Sequence, residues 1–289
     1  MLDANGFCLT CLSRIPNYKS KIANRKSQIL SLCSPGVSGI LGVMDVREEK
    51  FVVRTCECGA DGRIRIASLM QYLQEAAALH AEQLGFGFEK LGALDGYWVL
   101  SNIRVEIAPA PCWGDGPAWN EQVAVQTWPS GYSRSVATRE FIGRDRNGGE
   151  IFRAGSEWMV INKRTNRLKN LFRLDLGLPK TGRKALPNEL SRLELQEDYR
   201  PVERVRVPYS SIDLNGHVNN TEYVRWGVDA LRHAFRLGDI RSLQATYLSE
   251  VFEDDEVEIA VSSDGNGKFR VLGSKPGDGR AVYLMEIVC

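Results

Sequence analysis

The sequence predicts an α+β fold in which one unit, a strand, a long helix and an antiparallel meander, is written twice. Three observations predict it. Helical apolar spacing occurs in two segments about 150 residues apart, each helix follows a short β-rich run, and each is succeeded by several alternating or continuous apolar runs separated by polar turns. Long helices set against antiparallel strands define an α+β plan.

The first unit opens with FVVRTCE (51–57), which reads as a strand, and a turn at Gly59 to Gly62. A helix is predicted from about Ala67 to Leu84. Leu69, Leu73, Ala76, His80 and Leu84 fall on one face at spacings of three and four, and Gly85 supplies a stop. WVLSNIRVEIA (98–108), QVAVQTW (122–128), SVATREFIGRD (135–145) and EIFRAGSEWMVIN (150–162) follow as strands, with turn chemistry such as Asn147-Gly148-Gly149 between them. Residues 167–200 show no period and are expected to be a linker over the surface. The second unit starts with the strand RVRVPY (204–209). SSIDLNGHVNN then leads to a helix from Asn219 or Asn220 to Phe235, followed by strands SLQATYLSEVF (242–252), EVEIAVS (256–262), KFRVLG (268–273) and AVYLMEIV (281–288).

The bulk numbers leave partners to be argued from sites. Lys plus Arg number 37 against 36 Asp plus Glu, so net charge gives no argument for nucleic acid or for adsorption to a membrane. No apolar run approaches the roughly 20 residues that cross a bilayer, and a soluble chain is expected. Seven cysteines without framework spacing favour a reducing compartment. Cys8 and Cys11 form a CxxC with no second ligand pair, so no metal is assigned. Cys56, Cys58 and Cys112 read as ordinary thiols without a basic neighbour to activate them. His80 is expected in the core and His233 on the surface.

Residues 1–43 differ from the rest: they are basic, serine-rich and carry a short repeat (17–22 and 24–29). They are expected either to be an organelle-targeting peptide or a translated upstream stretch with the functional start at Met44. Asp3, the lysines and the repeat favour the second. The expected division is an extension at 1–43, a first unit at 44–166, a linker at 167–200 and a second unit at 201–289. A cytoplasmic location is expected, or a plastid if residues 1–43 are a targeting peptide.

NGHVNNTEYVRW (215–226) resembles the NxHVNNxxYxxW signature of plant and bacterial acyl-ACP thioesterases, whose chains carry two hotdog repeats. ADGRIRIASLMQYLQEAA (60–77), WVLSNIRVEI (98–107), WGD (113–115) and EWMVINKRTNRL (157–168) resemble the first repeat of that family. The resemblance covers about residues 50–289 and implies a tandem hotdog that hydrolyses fatty acyl-[acyl carrier protein] without a cofactor. Acyl-CoA hydrolysis, or a non-catalytic module that binds acyl carriers, are the alternatives. Either a monomer or a homodimer is consistent with a tandem repeat.

Alternate spacing lets Asp213, Asn215 and His217 project to one side, next to asparagines suited to capping a helix. Read alone, such a stretch is more often a turn and cap than a site. The resemblance implies that these three are catalytic, together with Glu250 on the TYLSEV (246–251) strand. Many family members have a cysteine after this glutamate, and here the residue is Val251, which disfavours a covalent cysteine mechanism. Water activated by Glu250 with help from His217 is expected instead. Asn215 would position water or polarise the carbonyl, and Asp213 would orient His217 or brace the loop. The first repeat is expected to hold the acyl chain, with Met70, Leu73, Ala77, Trp98 and Leu100 as wall residues or core. Lys163, Arg164, Arg167, Lys169 and Arg173 form a basic run that an acidic carrier protein could meet, or a solvated linker start.

Overall fold

The computed structural model describes residues 46–108 and 116–289. The expectations for Cys8, Cys11, Cys112, the WGD at 113–115 and residues 1–43 lie outside them. Ten strands form one antiparallel sheet: β1 (Arg47–Val52), β2 (Gly96–Ile107), β3 (Gln122–Tyr132), β4 (Ala137–Arg144), β5 (Glu150–Asn162), β6 (Arg200–Arg206), β7 (Ser242–Tyr247), β8 (Glu256–Ser263), β9 (Lys268–Ser274) and β10 (Ala281–Val288). Their order across the sheet is β1-β3-β4-β5-β2-β7-β10-β9-β8-β6. Read inward from each edge, the two halves have the same connectivity, so β1 to β5 correspond to β6 to β10. The repeat seen in sequence is therefore a repeat in space, and the halves join where β2 pairs with β7, Asn102 opposite Thr246 and Glu106 opposite Ser242.

Each half carries a helix. The long helix α1 (Ile66–Gln83) and the six-residue α2 (Phe88–Ala93) belong to the first half, and α3 (Asn220–Ala234) to the second. Helix α1 buries Leu69, Met70, Leu73, Ala76, Ala77 and His80, and α3 buries Tyr223, Val224, Trp226, Ala230 and Leu231. Alternate strand residues such as Val123, Val125, Leu243, Ala245, Ile259 and Val271 meet them, and the result is one continuous core. Asn219 caps α3, its side chain accepting from the Thr221 amide at 2.9 Å. No helix of the described residues is long and apolar enough to cross a membrane.

Three sequence expectations are corrected. The first strand is Arg47–Val52 rather than 51–57, because Thr55–Glu57 close a 3-10 turn. β6 is Arg200–Arg206, starting four residues before the predicted run. The strand predicted at 242–252 ends at Tyr247. There the amides of Leu248 and Ser249 both turn to one carbonyl, that of Val282, and the chain leaves the sheet.

Residues 174–199 are irregular but not free. The Trp128 indole donates to the Arg183 carbonyl at 3.0 Å, the Ala185 amide to Glu140 Oε2 at 3.0 Å, and the Leu193 amide to Thr246 Oγ1 at 3.1 Å. Buried Asn102 donates to the Ser191 carbonyl and accepts from Gln244 and Thr246. Leu174, Leu176 and Leu178 pack with Ala81 of α1 and Leu91 of α2, and from Arg183 to Leu193 the linker is a strap that runs from the first half to the second over the sheet residues alternating with those of the core.

One buried carboxylate pins the entrance to α1. Glu57, 3% exposed, accepts from the Arg54 amide at 2.7 Å, the Arg54 guanidinium and the Tyr72 hydroxyl at 2.5 Å. Burial works against its charge, but these hydrogen bonds outweigh it and hold the carboxyl below its ordinary value. Replacing Glu57 by glutamine leaves donors facing an amide, and is expected to cost about 1–3 kcal/mol at pH 7. A group depressed on folding contributes stability above its unfolded value of about 4.3, and loses it as pH falls through the folded value. Urea denaturation should therefore show the gap between wild type and variant narrowing below about pH 4.

Candidate active site

The segment between β6 and α3 is shaped by Asp213. Its Oδ1 accepts from the backbone amides of Asn215 at 2.7 Å and His217 at 3.3 Å. The Asp213 amide donates to the His217 carbonyl at 2.8 Å, and Gly216 donates back to the Asp213 carbonyl at 3.0 Å. Gly216 takes φ +83°, which a side chain would strain. The aspartate is the inside of a tight turn, an arrangement that Asp and Asn side chains share. Of the two predicted roles for Asp213, the geometry matches bracing: its carboxylate touches the backbone of residue 217, and no bond to the imidazole is present among the described contacts. Asp213→Asn retains an oxygen acceptor and is expected to keep kcat/KM for the hydrolysis that the sequence resemblance implies within about threefold. Asp213→Ala should lower it at least about tenfold by releasing the turn. Equal, large losses in both would assign the charge a direct role.

The turn is tied to Glu250 through the backbone. The Val218 amide donates to the Val251 carbonyl at 2.9 Å, so the irregular segment after β7 runs beside His217. Glu250 therefore sits on a loop rather than on the predicted strand. Its Oε2 lies 3.6 Å from His217 Nε2, just longer than a hydrogen bond. The imidazole is held by rings, Tyr97 at 5.4 Å and Phe252 at 5.1 Å. Val251 is fully buried in the core and is not on the wall of the adjoining cavity.

Two features escaped the sequence reading. Tyr97, on β2 of the other half, donates its hydroxyl to Glu250 Oε1 at 2.5 Å. Burial first, and the adjacent carboxylate second, push the phenol's pKa up and keep it protonated. Phe252 packs edge-on to His217. No local signal marks Tyr97, because its partner is 153 residues away. It can be found only by extending the β2–β7 register past Tyr247.

Asp213, Asn215, His217 and Glu250 all line a cavity of about 1150 Å³, just above the usual range of small-molecule sites. Asn215 has a buried Oδ1 without a hydrogen-bond partner among the described residues, as does Asn220 at the start of α3. Both asparagines line the cavity, and the positive end of the α3 dipole faces the same space. Its apolar wall includes Ala77, Ala81, Leu91, Trp98, Leu100 and Trp158. Of the predicted wall residues, Ala77, Trp98 and Leu100 are on it. Met70 and Leu73 are not: 2% and 1% exposed, they pack in the main core beneath α1. Trp98 is fixed by its indole N–H, which donates to the Phe86 carbonyl at 2.9 Å.

His80 is in the core, fully buried, with the Arg139 guanidinium 3.1 Å from its Nδ1. Burial lowers the Arg139 pKa to about 10. His233 is exposed.

The basic run is dispersed. Lys163 lies over the Phe88 ring at 5.2 Å, and Arg164 pairs with Asp95 at 2.5 Å. Lys169 is turned inward, donating to the Leu94 carbonyl at 2.7 Å and so capping the end of α2. Arg167 and Arg173 are exposed. Phe88 and Asn166 line the cavity, which places Lys163 and Arg164 near its rim.

A tandem hotdog with an acid, an imidazole and an amide on the wall of a large, mainly apolar cavity has the architecture of a thioester-processing protein. The family model described as acyl-ACP thioesterase N-terminal domain matches residues 44–173, and that described as acyl-ACP thioesterase C-terminal domain matches residues 195–273. The chain belongs to the acyl-ACP thioesterase family. It is 27% identical over 238 residues to an oleoyl-acyl carrier protein thioesterase, chloroplastic, of Coriandrum sativum, covering 75% of this chain and 62% of that one. A palmitoyl-acyl carrier protein thioesterase, chloroplastic, of Arabidopsis thaliana is 31% identical over 195 residues, 63% of this chain and 46% of the other. The chain spans about three fifths or less of the length of these curated relatives. Among solved structures, an acyl-ACP thioesterase from Bacteroides thetaiotaomicron superposes with a TM-score of 0.72 at 26% identity, over 84% of this chain and 97% of that one. The 12:0-ACP thioesterase from Umbellularia californica, at 23% identity, shares the fold with the same TM-score over 88% and 98% of the two chains.

Proposed function

We propose that the protein hydrolyses the thioester of fatty acyl-[acyl carrier protein], releasing the free fatty acid and the carrier thiol. The observation that carries this reading is the meeting of Glu250, His217 and Asn215 on the wall of a mainly apolar cavity, in a chain of the acyl-ACP thioesterase family. Glu250, helped by His217, takes a proton from water as the water attacks the thioester carbonyl. General-base assistance of this kind is worth about 10²–10⁴ in rate. The uncommitted Asn215 amide orients the water or polarises the carbonyl, and Asp213 keeps the loop in shape. The acyl chain occupies the cavity along Ala77, Trp98 and Leu100, shielded from solvent.

The carrier docks where Lys163 lies over Phe88, a residue of the cavity wall, beside Arg164 in its pair with Asp95, and exposed Arg167 and Arg173 extend the basic character. Opposite charge on the carrier would orient the encounter and raise its rate. Lys169, committed to the Leu94 carbonyl, is left out of this surface. A cytoplasmic location accompanies the reading, with a plastid as the alternative tied to residues 1–43.

Thiol release measured from acyl-ACP and acyl-CoA of graded chain lengths tests the proposal. Higher kcat/KM on acyl-ACP supports it. A dominant preference for CoA overturns the substrate, and release from neither identifies a binding module without hydrolytic activity.

A further inference from the structure

We propose that Tyr97 is a positioning residue for Glu250: its hydroxyl takes one carboxylate oxygen and thereby reserves the other, beside His217, as the base. The proposal rests on the reading of Glu250 as the group that activates water.

The bond crosses the pseudo-symmetric halves. In the register that sets Asn102 opposite Thr246, β2 continues beyond the last residue of β7, Tyr247. This overhang is where the chain carrying Glu250 peels away, so a side chain near the start of β2 meets it. The position of Tyr97 is firm. On one side Gly96 fits so closely against β5 that a Cβ there would lie 3.0 Å from Val160. On the other, Trp98 is anchored to the Phe86 carbonyl at 2.9 Å. Tyr97 itself is 7% exposed, and a buried phenol needs a partner. It donates to Glu250 Oε1 at 2.5 Å, and Oε2 is left 3.6 Å from His217 Nε2.

Two consequences follow. A carboxylate free to rotate offers either oxygen in many orientations, whereas one bonded on a single side presents the other in a fixed direction, which favours attack geometry. The same bond occupies Oε1, so water meets the carboxylate at Oε2, on the His217 side. The other titratable groups around Glu250 are His217 and Asp213 from the loop before α3 and Tyr223 from α3. Asp255, bonded to Lys275 at 2.8 Å, lies on the loop after β7, and Lys275 and Arg280 are on the cavity wall. None of these changes when the Tyr97 hydroxyl is removed.

Tyr97→Phe keeps the ring and removes only the donor. The test is the pH profile of kcat and kcat/KM for acyl thioester hydrolysis in wild type, Tyr97→Phe, Glu250→Gln and the double variant, with thermal unfolding of each. The expected result is a loss of about tenfold in kcat for Tyr97→Phe with KM within about twofold. No further loss should occur when Tyr97→Phe is added to Glu250→Gln. A Tyr97→Phe profile that overlays wild type while Glu250→Gln is inactive overturns the positioning role and leaves the base in place. A Glu250→Gln enzyme with wild-type turnover overturns the reading beneath both. A loss in Tyr97→Phe that is unchanged in size in the Glu250→Gln background assigns Tyr97 a merely structural role.

Discussion

Replacing Glu250 by glutamine is expected to lower kcat for acyl thioester hydrolysis by about 10²–10⁴, with little change in KM. Glutamine preserves the shape of the side chain and an oxygen that can accept from Tyr97. It loses the capacity to take a proton from water. Because Glu250 is on a partly exposed loop outside the sheet, with its neighbour Val251 providing the buried anchor, stability should change little. Steady-state thiol release read beside a thermal melt separates the two effects. A variant that melts like wild type but turns over like wild type would remove Glu250 from the chemistry.

The second large effect is expected at His217. Alanine there should lower kcat by about 10²–10³ and leave the loop intact, for a reason visible in the geometry. Asp213 holds residue 217 through its backbone amide, not through its ring, and the ring meets Tyr97 and Phe252 and lies 3.6 Å from Glu250 without holding the turn. The loss should also be strongly non-additive with that at Glu250, because two groups that move one proton act as a unit. If Glu250→Gln and His217→Ala multiply independently in the double variant, they do not share a step.

The repeat, both long helices and most strands were legible in the sequence because their apolar periods are strong. AVYLMEIV and EIFRAGSEWMVIN become β10 and β5 over the predicted residues. The two strands whose starts were misjudged, β1 and β6, are the edges of the sheet. REEKFV and RPVERVR are dense in charge, as exposed edges must be to discourage pairing with other chains. That charge hides the period from which strands are read. The strap at 174–199 left no pattern either, since isolated side-chain bonds to the sheet hold it rather than a repeating backbone ladder.

At the site, the cluster 213–217 was legible as a turn before a helix. Local spacing could not distinguish a cap from a functional loop, and the family resemblance carried that step. Glu250 has no local signature, since an acid after TYLS reads as a strand carboxylate. The bulge at Val282 that frees it from β7 depends on a partner strand some thirty residues later. Tyr97 was illegible for the same physical reason: its role exists only once the two repeats share a sheet. Met70 and Leu73 carried an apolar signal that core and cavity wall share, and only packing separated them from Ala77.

The central claim, that Glu250 activates water rather than attacking the thioester itself, is tested most directly by a single turnover in ¹⁸O-water with enzyme in excess over acyl-ACP. Mass spectrometry of the released fatty acid and of the Glu250 peptide then locates the label. Activated water predicts one ¹⁸O in the fatty acid and none in Glu250. Label in the Glu250 carboxylate would show an acyl-enzyme anhydride and contradict the account.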